Sequence, residues 1–338
     1  MNRVAVLGAG SWGTTLGLVL HEKGNDVVLW EYDPRQVEAI RRERENRRFL
    51  PGVAVPETVA VTGDLGEALA GARTVVAAVP SHAMRGVATM ARPLMARDAL
   101  VVNVAKGIEN GTLMRMSQVL SEALVRPDTH AIASVVGPSH AEEVSRKLPT
   151  VVVSAALDHE TAVLARDLFM TPRLRVYTNT DLVGVELAVS LKNVIAIAAG
   201  ICDGMGYGDN TKGALLTRGL AEITRLGVTM GGRPETFAGL SGMGDLITTC
   251  ISRHSRNRHV GEQIAAGRSL DDILSSMVMV AEGVRTTKSA VELSRRHGIE
   301  MPIAEQMELV LFEGKNPREA IGELMMRDPK PENGSPAH

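Results

Sequence analysis

Short runs of β-branched and aliphatic residues recur through the first half of the chain, at 3–7, 26–30, 59–61, 74–79, 100–104, 131–136, 150–154 and 174–177. Between them lie longer stretches with apolar residues at helical spacing, as at 34–44, 82–95, 113–124 and 159–168. Strand-length runs alternating with helix-length ones predict βαβ units and a mostly parallel, doubly wound sheet. From about residue 182 the β-rich runs stop and the spacing becomes helical, with Leu187, Leu191, Val194, Ile195 and Ala198 on one face. Helical patterns then follow at 213–226, 259–266, 270–276, 286–297, 303–312 and 317–326. The pattern therefore divides the chain into an α/β domain over 1–181 and an all-α C-terminal domain over 182–327. Residues 328–338, with three prolines beside Gly, Ser and Asn, read as a disordered tail.

Composition adds limits to this picture. A length of 338 residues suits two domains. Lys and Arg total 37 against 39 Asp and Glu, so no excess of basic charge marks the protein for nucleic acid or an anionic membrane, and a small polar substrate is expected. Cys202 and Cys250 cannot build a disulfide framework and suit a reducing compartment. No run of about 18 consecutive apolar residues argues for a membrane span. The N-terminal MNRVAVLGAG enters a strand without a cleavage-site pattern, so the cytoplasm is the expected location.

Immediately after the first run comes Gly8-Ala9-Gly10-Ser11-Trp12-Gly13, followed by a helical pattern. G-x-G-x-x-G between strand and helix identifies a Rossmann-type domain. Gly8 permits the tight turn, Gly10 admits a pyrophosphate to the backbone, Gly13 allows close packing, and the helix start offers free N–H groups to the anion. The second run ends at Trp30-Glu31-Tyr32-Asp33, where the Glu31 carboxylate can take an adenosine ribose hydroxyl and would repel a 2′-phosphate. That reading leans to NAD(H); the alternative is a solvated Glu31, with Arg35 or Arg41 holding the phosphate of NADP(H). The charges from Arg41 to Arg48 read as a solvated helix face.

Ligands of such sheets bind beyond the carboxyl ends of the strands. Lys106, after the fifth run, lies there, although a lysine in that place, taken alone, is more often a surface residue. Gly137-Pro138-Ser139-His140-Ala141-Glu142 follows the sixth run with the S-x-x-E spacing of a capping box, and Gly137 allows a close backbone approach to a substrate. Lys192 has only apolar neighbours three and four residues away, namely Ala188, Val189, Ile195 and Ala196. Burial there would lower its pKa toward that of a proton donor and acceptor, unless it snorkels or pairs with a carboxylate such as Asp245. By spacing alone Asp245, ending the glycine-dense run 239–244, is suited to capping the next helix. Ser255-Arg256-Asn257 offers a hydroxyl, a guanidinium and an amide in sequence, either a phosphate cradle or a polar turn. No histidine spacing suits a metal and neither cysteine has a nucleophile signature, so an organic cofactor without a metal is expected.

Taken together, GAGSWGTTL (8–16), NVAKGIE (103–109), VVGPSHAEEV (135–144), the run 186–220, GLSGMGDLITTC (239–250), SRNRHVG (255–261) and VAEGV (280–284) resemble the soluble NAD(P)-dependent glycerol-3-phosphate dehydrogenases. The resemblance implies reduction of dihydroxyacetone phosphate to sn-glycerol 3-phosphate for phospholipid synthesis. It implies Lys192 as proton donor and acceptor, with Lys106, Asp245, Gly137, Ser139, Ser255, Arg256 and Asn257 at the substrate. Ser11, Trp12, Lys106, Ala141, Arg256, Val280 and Glu282 fall at cofactor positions. Many bacterial members carry Arg or His at or next to the position of Tyr32, so its presence here again favours NADH. A homodimer is expected from the apolar helical domain. The competing readings are another two-domain reductase, of a hydroxyacid or ketopantoate, and a non-catalytic nicotinamide sensor.

Overall fold

A computed structural model of the chain describes residues 2–125, 131–329 and 331–332. Residue 330 and residues 333–338, most of the expected tail, lie outside the described residues. All eight expected strands are present: β1 (Arg3–Leu7), β2 (Asp26–Trp30), β3 (Ala60–Thr62), β4 (Thr74–Ala77), β5 (Leu100–Asn103), β6 (Ile132–Val136), β7 (Thr150–Ala155) and β8 (Leu174–Asn179). They form one sheet in the order β3-β2-β1-β4-β5-β6-β7-β8. Every pair is parallel except β6 with β7. β1 sits between β2 and β4, which makes its carboxyl end the topological switch point where such sheets bind ligands.

Alternation along the strands builds a core on each face. Val4 and Val6 of β1 join Val27, Leu29, Val76 and Val102 on one side. Ala5 and Leu7 join Val28, Trp30, Val75 and Val101 on the other. Both faces are covered, so the strands read as near-continuous apolar runs.

In the second half the helices expected from 213, 259 and 286 begin earlier, at Asp209, Arg256 and Glu282, and in the first half two helices depart from the expected bounds for local reasons. The stretch 82–95 resolves into a 3₁₀ turn (Ser81–Ala83), an α-helix (Met84–Ala91) and a second 3₁₀ turn (Arg92–Leu94), with Pro93 supplying no N–H to continue the ladder. The helix expected from 113 begins at Met116, because Leu113 has a φ of 61° in the left-handed region.

The second half is helical and begins with the core helix Leu182–Gly204, started by Asp181, whose carboxylate accepts the Gly184 N–H at 2.8 Å. An amphipathic helix with one apolar face is expected here, but the helix is buried on every side, at 20 of its 23 residues. Its mean hydropathy of 1.8 over an 18-residue window would suit a membrane span; 94% of that window is instead buried inside the protein. The helix packs most closely against Arg256–Ala265. There a Cβ on Gly200 would lie 1.9 Å from the Arg258 carbonyl oxygen, and one on Gly261 2.0 Å from that of Ile197. Backbone meets backbone at this crossing, and only glycine fits.

Overpacking of a closed contact costs about 1–3 kcal/mol or more. Gly200→Ala is therefore expected to lower the thermal midpoint by several degrees in a calorimetric scan, with the far-ultraviolet circular dichroism of the folded state unchanged.

Candidate active site

The carboxyl edge of the sheet and the helical half enclose a cleft of about 710 Å³. At one end lies the glycine loop. Gly8 has a φ of 109°, and a Cβ on it would stand 2.9 Å from the Ala78 carbonyl oxygen, so the turn requires glycine. Gly10 faces open space, and with Ser11 and Trp12 it lines the cleft at the start of the helix Ser11–Glu22. Gly13 is behind the loop; its Cβ would fall 1.9 Å from the Gly8 carbonyl oxygen. Such a loop, with unobstructed backbone at a helix start, fits a pyrophosphate.

Glu31 and Tyr32 line the same end of the cleft. The Glu31 carboxylate accepts the Ala9 N–H at 3.2 Å and the Asp33 N–H at 3.1 Å, so it is fixed in place and ties the glycine loop to the end of β2. Tyr32 is 78% exposed. Arg48 pairs with Asp33 at 3.2 Å, Arg41 donates to the Val61 carbonyl at 2.6 Å, and Arg35 is exposed.

Further along the cleft three charged side chains meet. Lys106 Nζ is 3.0 Å from Asp245 Oδ2 and Lys192 Nζ is 3.0 Å from Asp245 Oδ1. Lys106 also donates to the Gly137 carbonyl at 2.7 Å, and Lys192 to Thr249 Oγ1. Lys192 and Asp245 are both 2% exposed. Burial pushes the Lys192 ammonium down to about 8, against the pull of Asp245 and with a further push from Lys106. Behind it, burial raises the Cys250 thiol to about 12 and keeps it protonated. Lys192 thus pairs with the carboxylate instead of snorkelling. Asp245 does not cap its helix: the cap residue is Gly244, and Asp245 is the first residue of Asp245–Ile251. Its carboxylate is engaged by the two lysines.

Two further expectations are corrected. The Ser139–Glu142 capping box does not form, since the helix Ala141–Val144 is capped at His140 without a side-chain bond and Ser139 Oγ donates to the Gly137 carbonyl at 3.0 Å. Gly137 has a φ of 142°, and a Cβ there would meet Val152 Cα at 3.2 Å. The backbone that approaches Gly137 is therefore that of β7, and of Gly137 the site uses the carbonyl.

Ser139, Ala141, Ser255, Arg256, Asn257, Val280 and Glu282 line the cleft, whereas Gly13 and Gly137 support it from behind. Ser255 is committed to capping Arg256–Ala265, accepting the Arg258 N–H at 3.2 Å. Asn257 donates to Asn193 Oδ1 at 2.9 Å and accepts the Gly283 N–H at 2.9 Å. Arg256 donates to the Val280 carbonyl at 3.0 Å and keeps the rest of its guanidinium in the cleft. Glu282 accepts the Ser81 N–H at 2.9 Å and Ser81 Oγ at 2.5 Å, bridging the two halves at the cleft floor.

The sequence reading missed several lining groups. Thr249 lies four residues after Asp245, a spacing that places both on one helix face, whereas Asn193, next to Lys192, had no spacing signal. Phe49 comes from a loop with no motif. The rings of His140 and His254 lie tilted by 50° with their centroids 5.9 Å apart, and the pKa of His140 is held below its ordinary value by burial and by the Lys106 and Lys192 cations. Among the described residues no group of three or more His, Cys, Asp or Glu could hold a metal ion.

Residues 3–162 match the family described as NAD-dependent glycerol-3-phosphate dehydrogenase N-terminus, and residues 181–322 its C-terminus. The NAD(P)+ glycerol-3-phosphate dehydrogenase of Chlorobium limicola is 54% identical over 329 residues, 97% of this chain and 99% of that protein. That of Pelotomaculum thermopropionicum is 55% identical over 327 residues, 96% and 93% of the two chains. The crystal structure of glycerol-3-phosphate dehydrogenase from Coxiella burnetii superposes with a TM-score of 0.91 at 38% identity, covering 96% of this chain and 98% of that one.

A methyl group on Gly13 would force the glycine loop to shift, at a cost of about 1–3 kcal/mol. Gly13→Ala is accordingly expected to weaken dinucleotide binding about 10- to 100-fold in a fluorescence titration.

Proposed function

This chain belongs to the family of NAD-dependent glycerol-3-phosphate dehydrogenases, and on that premise we propose that it reduces dihydroxyacetone phosphate reversibly to sn-glycerol 3-phosphate with Lys192 as proton donor and acceptor. The observation that carries the proposal is the pair of ammonium groups, Lys106 and Lys192, each 3.0 Å from one buried carboxylate in a cleft that begins at a pyrophosphate-type loop. Residues 1–181 hold the dinucleotide in this reading, and residues 182–327 supply the proton-transfer and phosphate groups.

When bound, the reduced nicotinamide supplies a hydride to the C2 carbonyl carbon. Negative charge then develops on the carbonyl oxygen, where Lys192 delivers a proton and Lys106 stabilises the charge. Asp245 keeps both ammonium groups in place and favours the protonated form of Lys192. Arg256, with Ser255 and Asn257 beside it, takes the substrate phosphate, anchoring the far end so that C2 is oriented for reaction. Ser139 and the Gly137 carbonyl border the substrate through Lys106. Gly8, Gly10, Ser11 and Trp12 hold the pyrophosphate with Gly13 supporting the loop from behind, while Ala141, Val280 and Glu282 line the rest of the cofactor's course.

NADH is the expected cofactor because Glu31 is pinned at the rim, where it accepts ribose hydroxyls and repels a 2′-phosphate. The phospholipid precursor role, a cytoplasmic location and a homodimer belong to the same proposal. Support for the dimer comes from apolar side chains left exposed on the helical half, Ile247 and Ile251 among them.

Loss of reduced-nicotinamide absorbance with dihydroxyacetone phosphate tests the reaction. Rapid turnover is expected, with NADH used at least as well as NADPH; binding without turnover would overturn the proposal, and a strong preference for NADPH would overturn the role given to Glu31. Because the ammonium form donates the proton, kcat for reduction should fall as pH rises through about 8, while oxidation, which needs the free amine, should rise over the same range. Lys192→Met is expected to lower kcat at least about 100-fold while leaving the dinucleotide Kd nearly unchanged.

A further inference from the structure

We propose that Glu186 is a positioning residue of the catalytic pair, holding the helix that carries Lys192 in register with the loop that carries Lys106; the inference rests on the roles given to those two lysines above. Glu186 lies six residues before Lys192 on the core helix and is 3% exposed. It does not line the cleft, and neither do the residues it binds. Its carboxylate accepts the Ser117 N–H at 3.0 Å, Ser117 Oγ at 2.6 Å, Ser134 Oγ at 2.7 Å and the Arg115 guanidinium at 2.7 Å. These four donors match the four lone-pair sites of a carboxylate.

The connection continues to the opposite lysine. Ser134, on β6, accepts from Asn103 Nδ2 at 3.1 Å. Asn103 ends β5, and its side chain accepts the Ala105 N–H at 3.0 Å and donates to the Ala105 carbonyl at 3.2 Å. Ala105 immediately precedes Lys106. A continuous hydrogen-bonded path therefore runs from the Lys192 helix through Glu186, Ser134 and Asn103 to the backbone beside Lys106.

Burying a carboxyl group inside a mostly apolar helix is costly, and well-packed aliphatic residues usually serve stability as well or better. What they lack is register. The backbone crossing at Gly200 and Gly261 fixes the later turns of the helix against Arg256–Ala265, and the four bonds to Glu186 fix its earlier turns against β6 and the 115–117 segment. Apart from Asp245, which belongs to the site itself, the other two carboxylates buried at or within this half among the described residues act differently. Asp181 caps the core helix itself, and Glu222 accepts the Ile303 N–H at the start of another helix. Neither connects to a loop bearing a catalytic group.

The experiment uses the full chain with Ser134→Ala and Glu186→Gln, reading kcat, its pH profile, NADH affinity and thermal midpoint. Ser134→Ala is expected to lower kcat about tenfold with NADH affinity within about twofold, and Glu186→Gln to lower it further. Lys192 faces Asp245, Lys106 and Cys250. Drawn away from Asp245 while still buried, it loses the contact that favours its ammonium form, so the high-pH limb of reduction should move to lower pH. Glu186→Asp should recover part of the rate. Variants that lose thermal stability yet keep the parental kcat and pH limb would overturn the inference; if Glu186→Gln does not fold, Ser134→Ala decides. An unaltered protein without turnover would instead sink the functional reading on which the inference stands.

Discussion

Two ammonium groups brought from opposite halves of the chain share the carboxylate of Asp245, and most of the architecture around the cleft maintains that arrangement. Two cations beside one anion leave the centre with an excess of positive charge in a place where water screens little. Left alone, the lysines would repel each other and Lys192, nearly without solvent, would lose its proton. Asp245 offsets both effects. The surplus charge in turn suits the chemistry, since a phosphorylated ketone brings negative charge and its reduction creates more.

The constraint reaches outward in layers. The π-helical turn Leu240–Gly244 delivers Asp245, and its Gly242 has no room for a side chain because a Cβ would fall 1.9 Å from the Phe237 carbonyl oxygen. The core helix delivers Lys192 and accepts the backbone of Arg256–Ala265 against Gly200. One crossing therefore fixes both the proton donor and the Arg256 run. Ser81 and Glu282 fasten the same helical half to the loop after β4, so cleft width is set by hydrogen bonds as well as by apolar packing.

The strands, most helices and the glycine loop were legible in the sequence because each is a local pattern: alternating apolar runs, helical spacing, or glycines at fixed offsets after a strand. Lys192 was legible as an anomaly, a charge among apolar helical neighbours, and Lys106 by its place after β5. Asp245 was misread when spacing was the only guide, since capping is a local explanation and its actual partners are remote, and the Ser139–Glu142 pair was misread because Ser139 turns back on the Gly137 carbonyl two residues away. Asp245 and Lys106 are 139 residues apart. Gly137 had the right residue type for a different reason, because the approaching backbone belongs to an antiparallel strand that parallel-sheet reasoning does not anticipate. Phe49 gave no signal, since it sits in a loop without a motif; Glu186 carried the same anomaly as Lys192, a charge beside Leu182, Val183 and Val189, but its four donors come from distant segments that no local pattern reveals.

The strand order also says something about assembly during synthesis. From β5 onward each new strand is laid beside the one made just before it. A growing chain can therefore extend the sheet edge by edge as it leaves the ribosome, before any of the later helices exist. The glycine loop and Glu31, both complete within the first 31 residues, belong to this early body. The buried carboxylate between the lysines arrives only with residue 245. A nascent chain would thus acquire the means to grip a nucleotide well before it acquires the means to move a proton.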